Sequence, residues 1–147
     1  MSEWKIRVKK INEEEIHNFL DFNPAKKRYY YYFDWDNNTQ DKKEFYHISQ
    51  YEKFIEEHIQ QYPNVKLLQI WDASITERKV NEFELIDILR KDGQFPHDFE
   101  IRVNNNPFTK YERFKTKNDF YSFKAEMTAG DPNAEITEIY ETRNTIY

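Results

Sequence analysis

Residues 11–16 read INEEEI and residues 80–85 read VNEFEL. In each, an asparagine precedes a short acidic run that ends on an aliphatic residue. Asn12 with Glu15 has the spacing of a helix cap and an acidic third helical residue. Sliding the chain on itself by 69 residues extends the match. Ile6 then meets Ile75, Lys10 meets Lys79, Leu20 meets Leu89, Phe54 meets Phe123 and Glu57 meets Glu126. "LLQIWD" from Leu67 meets "ITEIYE" from Ile136. Identities, caps and hydrophobic periods agree together, which signals an internal repeat.

The first copy gives the element order. Trp4 to Val8 alternates apolar with basic residues, the period of a half-buried strand. Ile16, Phe19 and Leu20 mark a short helix stopped by Asn23-Pro24. Four consecutive tyrosines, Tyr29 to Tyr32, followed by Phe33 and Trp35, make a second strand. Asp36 to Thr39 is a turn, and Lys43 to Ile48 a third strand. Ser49 with Glu52 repeats the capping pattern, as does Asn118 in the second copy. Phe54, Ile55, His58 and Ile59 mark a helix that ends before Pro63, since proline disfavours a helical predecessor. Val65 to Trp71 is the fourth strand. The resulting β-α-β-β-α-β order predicts an α+β protein of two tandem ferredoxin-like repeats. The first is expected over 4–72, the second over 73–141, with 142–147 as a tail. A repeat this short supports only a marginal core alone, so the two are expected to pack as one compact unit.

The repeat assigns faces to the tyrosine run. With the offset at 68, Tyr31, Phe33 and Trp35 meet Phe99, Ile101 and Val103, apolar in both copies and so read as core. Tyr30, Tyr32 and Asp34 meet Asp98, Glu100 and Arg102, a solvated pattern. The same offset pairs Tyr46 and Ile48 with Phe114 and Thr116. It puts Phe45 and His47 against Arg113 and Lys115. The second face of the first repeat is therefore expected to carry Lys5, Arg7, Lys9, Tyr30, Tyr32, Phe45, His47 and Trp71. Rimmed apolar patches of this kind mark interaction surfaces.

Composition narrows the chemistry. The 147 residues are 38% hydrophobic and 18% aromatic, so rings must supply much of the core. No cysteine is present, which removes thiolate zinc sites, disulfides and cysteine nucleophiles. Only Gly93 and Gly130 occur, too few for phosphate-cradling loops. Asp34, Asp36 and Asn38 open like a calcium loop, but Thr39 and Phe45 stand where glycine and glutamate are needed. The four histidines share no metal-ligating spacing, and no serine sits in a nucleophile elbow. No catalytic residue, metal or cofactor is assigned, and an enzyme is not expected. With no signal-peptide core and no long apolar run, the chain reads as cytoplasmic and without a membrane partner.

The expected function is a protein-binding module: a small acidic inhibitor or antidote, such as an immunity protein, antitoxin or phage anti-defence factor. It would occlude a protein partner through the aromatic face, which could alternatively serve a homodimer. A second reading is single-stranded RNA or DNA stacked on the same rings beside Lys5, Arg7, Lys9 and Lys43. The formal net charge of -5 opposes phosphate binding. A third is a small-molecule sensor with its ligand between the repeats.

Overall fold

A computed structural model of the protein describes residues 3–145. These residues form an α+β protein with seven strands and four helices. In chain order they are β1 (Lys5–Ile11), α1 (Glu13–Asp21), β2 (Tyr29–Trp35), β3 (Gln40–Phe45), α2 (Ile48–Gln61) and β4 (Leu67–Val80). Then come α3 (Glu82–Lys91), β5 (His97–Val103), β6 (Lys110–Phe114), α4 (Lys117–Gly130) and β7 (Ile136–Asn144). The chain divides into an N-terminal unit, 6–75 with 144–145, and a C-terminal unit, 76–143 with 3–5.

In the N-terminal unit the hydrogen-bonded order is β3-β2-β4, with β1 also paired to β4. In the C-terminal unit it is β6-β5-β7-β4. The hairpins β2–β3 and β5–β6 are antiparallel, as are β2–β4 and β5–β7. The element order is the expected one, but the strand order corrects the ferredoxin-like reading. A ferredoxin-like unit holds its first strand between its third and fourth; here β2 separates β3 from β4. No glycine or proline interrupts Leu67 to Val80, so one 14-residue strand runs through the boundary between the units.

Capping chemistry sets the helix starts. Asn12 and Asn81 cap α1 and α3, their side chains accepting from Glu15 N and Glu84 N at 2.9 and 2.8 Å. The caps of α2 and α4 fall two residues before Ser49 and Asn118, at His47 and Thr116. Thr116 with Asp119 is an ordinary capping box. His47 uses imidazole Nδ1 as the acceptor, a residue outside the usual capping set, which is why Ser49 was the better candidate in sequence. Asp119 accepts from the backbone N–H groups of Thr116 and Lys115, which holds its carboxyl below the usual aspartate range.

Rings build the N-terminal core. Tyr31, Phe33 and Trp35 face α1 and α2 with Phe45, Ile70, Ile16, Leu20 and Tyr51. Phe33 lies 4.9 Å from Phe54, and Trp35 stacks on His58 at 3.4 Å. Phe45 is therefore a correction: it is 3% exposed and belongs to this core. The register explains the error. Tyr29 pairs with Phe45 and His97 with Phe114, so the offset is 68 on one strand and back to 69 on the next. The offset change lies in the hairpin turn, and Phe45 corresponds to the buried Phe114. The C-terminal core is more aliphatic, joining Leu85, Ile88, Leu89, Ile101 and Ile139 to Phe99, Phe114, Phe120 and Phe123.

Tyr31 is fully buried and its hydroxyl has no hydrogen-bond partner. Burial, and then the charge of Asp72, push that hydroxyl far above the usual tyrosine range. Phe99 fills the corresponding position without a hydroxyl. Tyr31→Phe is expected to be neutral or stabilising, since it removes an unpaired buried polar group. Tyr31→Ala should cost about 3–5 kcal/mol, as buried aromatics do. A raised folded-state value means the contribution is intact below the unfolded value of about 10 and is lost as pH climbs above it. Urea denaturation at neutral pH and above pH 10 checks both: Tyr31→Phe should be less alkali-sensitive than the parent.

Candidate functional site

Alternation along β2 sends Tyr30, Tyr32 and Asp34 to the face of the N-terminal unit that α1 and α2 do not cover. The registers line their neighbours up. Tyr32 lies between Lys42 and Trp71, and Asp34 between Gln40 and Gln69. The Trp71 indole N–H donates to Asp34 Oδ2 at 2.8 Å, and Gln40 Nε2 donates to Asp34 Oδ1 at 2.7 Å. Asp34 thus fixes the tilt of Trp71. Lys42 places its ammonium 5.3 Å from the Tyr32 ring. Tyr32 and Trp71 both remain half-buried.

Ile6 and Val8 belong to this face as well. Ile11 is the buried end of β1, and counting back from it in twos puts Lys9 and Arg7 on the same side of the strand as Ile11. Ile6 and Val8 take the opposite face and are 39% and 47% exposed. This reverses the expectation for β1. Of the eight residues singled out from sequence, Tyr32 and Trp71 are brought together on the open face. Tyr30 shares that face but is 2% exposed, its N–H donating to Ser74 Oγ at 2.9 Å, so it is a core ring. Phe45 is core, His47 is a helix cap, Arg7 and Lys9 fall on the other side of β1 by alternation, and Lys5 belongs to the C-terminal unit. Ile6, Val8 and Lys42 complete the face and were missed, whereas Asp34 shares the sequence period of Tyr30 and Tyr32 and only its bond to Trp71 was not legible. The signal for the first two was present: at the 69-residue offset Ile6 meets Ile75 while Val8 meets Glu77, so this alternation is not apolar at both places.

The carboxylates of the calcium-like spacing are engaged by the chain itself. Asp34 holds Trp71 and Gln40, and Asp36 Oδ1 accepts from Lys66 N at 3.0 Å. Among the described residues no group of three or more histidines, aspartates and glutamates converges to hold a metal ion.

The C-terminal unit carries a second polar cluster, around Glu141, which is 5% exposed. Glu141 sits beside Phe99 in register, on the helix-covered face. Arg78 Nε donates to its Oε1 at 2.6 Å, and His97 Nδ1 lies 3.1 Å from its Oε2. The other His97 nitrogen reaches the Asp92 carbonyl at 3.1 Å, at the C-terminal end of α3. With both nitrogens engaged, His97 ties β5 to α3 and presents no open base. The guanidinium carbons of Arg78 and Arg143 lie 4.6 and 4.1 Å from the Trp4 ring centre. These residues line a cleft of about 390 Å³. Trp4 is thus a platform for arginines and not the strand core the sequence suggested. Comparison with protein-family models, curated proteins and solved structures finds no match.

Glu141→Ala should destabilise by about 3 kcal/mol, the lower part of the range for breaking a buried pair. The Arg78 side chain is 20% exposed and can recover some hydration. The Lys79–Glu138 pair, with side chains 57% and 28% exposed, is the control. Lys79→Ala should cost about 0.5 kcal/mol or less. Chemical denaturation of both variants checks the contrast.

Proposed function

We propose that this protein is a non-enzymatic binding module, a small acidic inhibitor or antidote of the immunity-protein, antitoxin or anti-defence kind. It would occlude a protein partner through the open face of the N-terminal unit. The observation that carries the reading is the row Lys42–Tyr32–Trp71 beside exposed Ile6 and Val8. Two oriented rings, an aliphatic flank and a charged rim are what protein interfaces use as anchors. The indole is fixed by Asp34 before any partner arrives, so its ordering adds little to the cost of binding.

The single-stranded nucleic acid reading loses its main support. It needed Lys5, Arg7 and Lys9 beside the rings, whereas alternation sends Arg7 and Lys9 to the opposite side of the strand and Lys5 belongs to the C-terminal unit. Lys42 alone cannot follow a phosphate backbone.

The two units are read as copies of one ancestral β-α-β-β-α-β unit, the first near 4–72 and the second near 73–141. In support, four helix caps recur at the same offset, Asn12 with Asn81 and His47 with Thr116. The buried residues Ile16 and Leu20 likewise recur as Leu85 and Leu89.

A photo-reactive phenylalanine analogue at position 32 should cross-link one protein partner in the cells of origin, whereas the same analogue at position 83 should not. Trp71→Ala and Tyr32→Ala should each weaken binding of that partner by about 2 kcal/mol or more, read by calorimetry. Salt-sensitive binding of a labelled single-stranded oligonucleotide, lost in Trp71→Ala, would instead favour the nucleic acid reading.

A further inference from the structure

An ion pair bridges α3 and α4 at a position where the α1–α2 pair carries an isoleucine. Between α1 and α2 lies a groove of about 500 Å³. Its floor is apolar: Tyr51, Ile55 and Ile59, the last 57% exposed. Its walls carry the carboxylates of Glu13, Glu52 and Glu56. The Tyr51 hydroxyl donates to Glu13 Oε1 at 2.9 Å, and His17 packs edge-on to the Tyr51 ring at 5.8 Å.

Moving 69 residues along the chain gives the same place between α3 and α4. There Lys124 stands where the groove has Ile55, and Glu82 where it has Glu13. Lys124 Nζ reaches Glu82 Oε2 at 3.0 Å and lies 5.8 Å from the ring of Phe120, the counterpart of Tyr51. The C-terminal unit therefore places an ammonium of its own across the helix pair. In the N-terminal unit that ammonium is replaced by an isoleucine. Two carboxylates are added at the same time, Glu52 and Glu56 in place of Tyr121 and Ala125.

We propose that the α1–α2 groove receives a cationic amphipathic segment of another protein. A lysine or arginine of that segment would take the position Lys124 occupies in the other unit, facing Glu13. Its apolar residues would lie on Ile55 and Ile59, and neighbouring cations against Glu52 and Glu56. The apolar floor separates this occupant from a free polyamine, which has no side chains to cover it. The carboxylate walls repel nucleic acid and anionic membrane surfaces. This surface lies on the helices and is distinct from the Tyr32–Trp71 face, so it stands whether or not that face has a partner.

The test uses the full chain and a fluorescent 14-residue amphipathic helix of leucine and lysine, with a leucine–glutamate helix of the same pattern as control. The lysine peptide should bind saturably, more weakly as salt rises, and shift amide resonances confined to α1 and α2. Ile55→Lys supplies the internal ammonium and should weaken binding by about ten-fold or more. Glu52→Gln with Glu56→Gln, both at exposed positions, should weaken it without changing thermal unfolding. Trp71→Ala should leave it unchanged. Equal binding of the two peptides, absence of binding at low salt, or full binding retained in both groove variants would overturn the proposal. Displacement of the peptide by spermidine at equal concentration would do so too.

Discussion

The packing of rings on one face of β2 is the constraint from which the rest of the N-terminal unit follows. Phe33 lies within 6.3 Å of the rings of Tyr31, Phe45, Tyr51 and Phe54, which come from β2, β3 and α2. Tyr29 continues the row onto Phe19 of α1, stacked at 5.6 Å. One strand thereby anchors both helices and the hairpin. Because these rings are long, they fill the space under α1 and α2 with few aliphatic residues. The period of the strand then obliges the alternate residues Tyr30, Tyr32 and Asp34 to leave by the other side. Tyr30 finds cover there, and Tyr32 does not fully.

The same sheet position shows how the two units manage a carboxylate on a helix-covered face. Asp72 stands opposite Tyr31, and Glu141 opposite Phe99. In the N-terminal unit the shorter Asp72 is half-buried and turns back to accept from Ser74 N at 2.9 Å. In the C-terminal unit the longer Glu141 goes inward, where it pairs with the Arg78 guanidinium and lies against His97 Nδ1. A buried carboxylate is tolerated only when its lost hydration is replaced by donors. One methylene of length therefore separates a local turn bond from a network that ties three strands to the end of a helix.

Sequence carried the element order, the two asparagine caps and the buried set Tyr31, Phe33, Trp35, Ile16 and Leu20. These are local signals: a period, a cap, an apolar pair at helical spacing. It misassigned whatever depended on counting across a turn. Phe45 went to the wrong face because the one-residue difference between the hairpins was placed after the third strand instead of in the turn before it. A one-residue slip moves every side chain of a strand to the other side. β1 failed differently. Its apolar residues Ile6 and Val8 suit either side of a strand paired at β4, and only the buried Ile11 at its end fixes the phase. The Asp34–Trp71 bond spans 37 residues and has no local signature. Neither has the Glu141 cluster, which joins residues from β4, β5, β7 and the end of α3.

Two units with the same element order give a physical meaning to differences that would be silent in one unit alone. A half-buried isoleucine between two helices is ordinary in isolation, since much of any protein surface is apolar. Ile55 is informative because Lys124 occupies its position in the C-terminal unit and satisfies a glutamate there. The ion pair Lys124–Glu82 is half-exposed and adds little stability, on the order of 0–1 kcal/mol, so exchanging its lysine for isoleucine is nearly free for the fold. What the exchange does alter is the field and the shape of the groove. It removes a positive charge, bares an apolar floor, and leaves Glu13 held on its own chain by the Tyr51 hydroxyl. A change that barely touches stability but reverses the charge of a surface acts on what that surface meets.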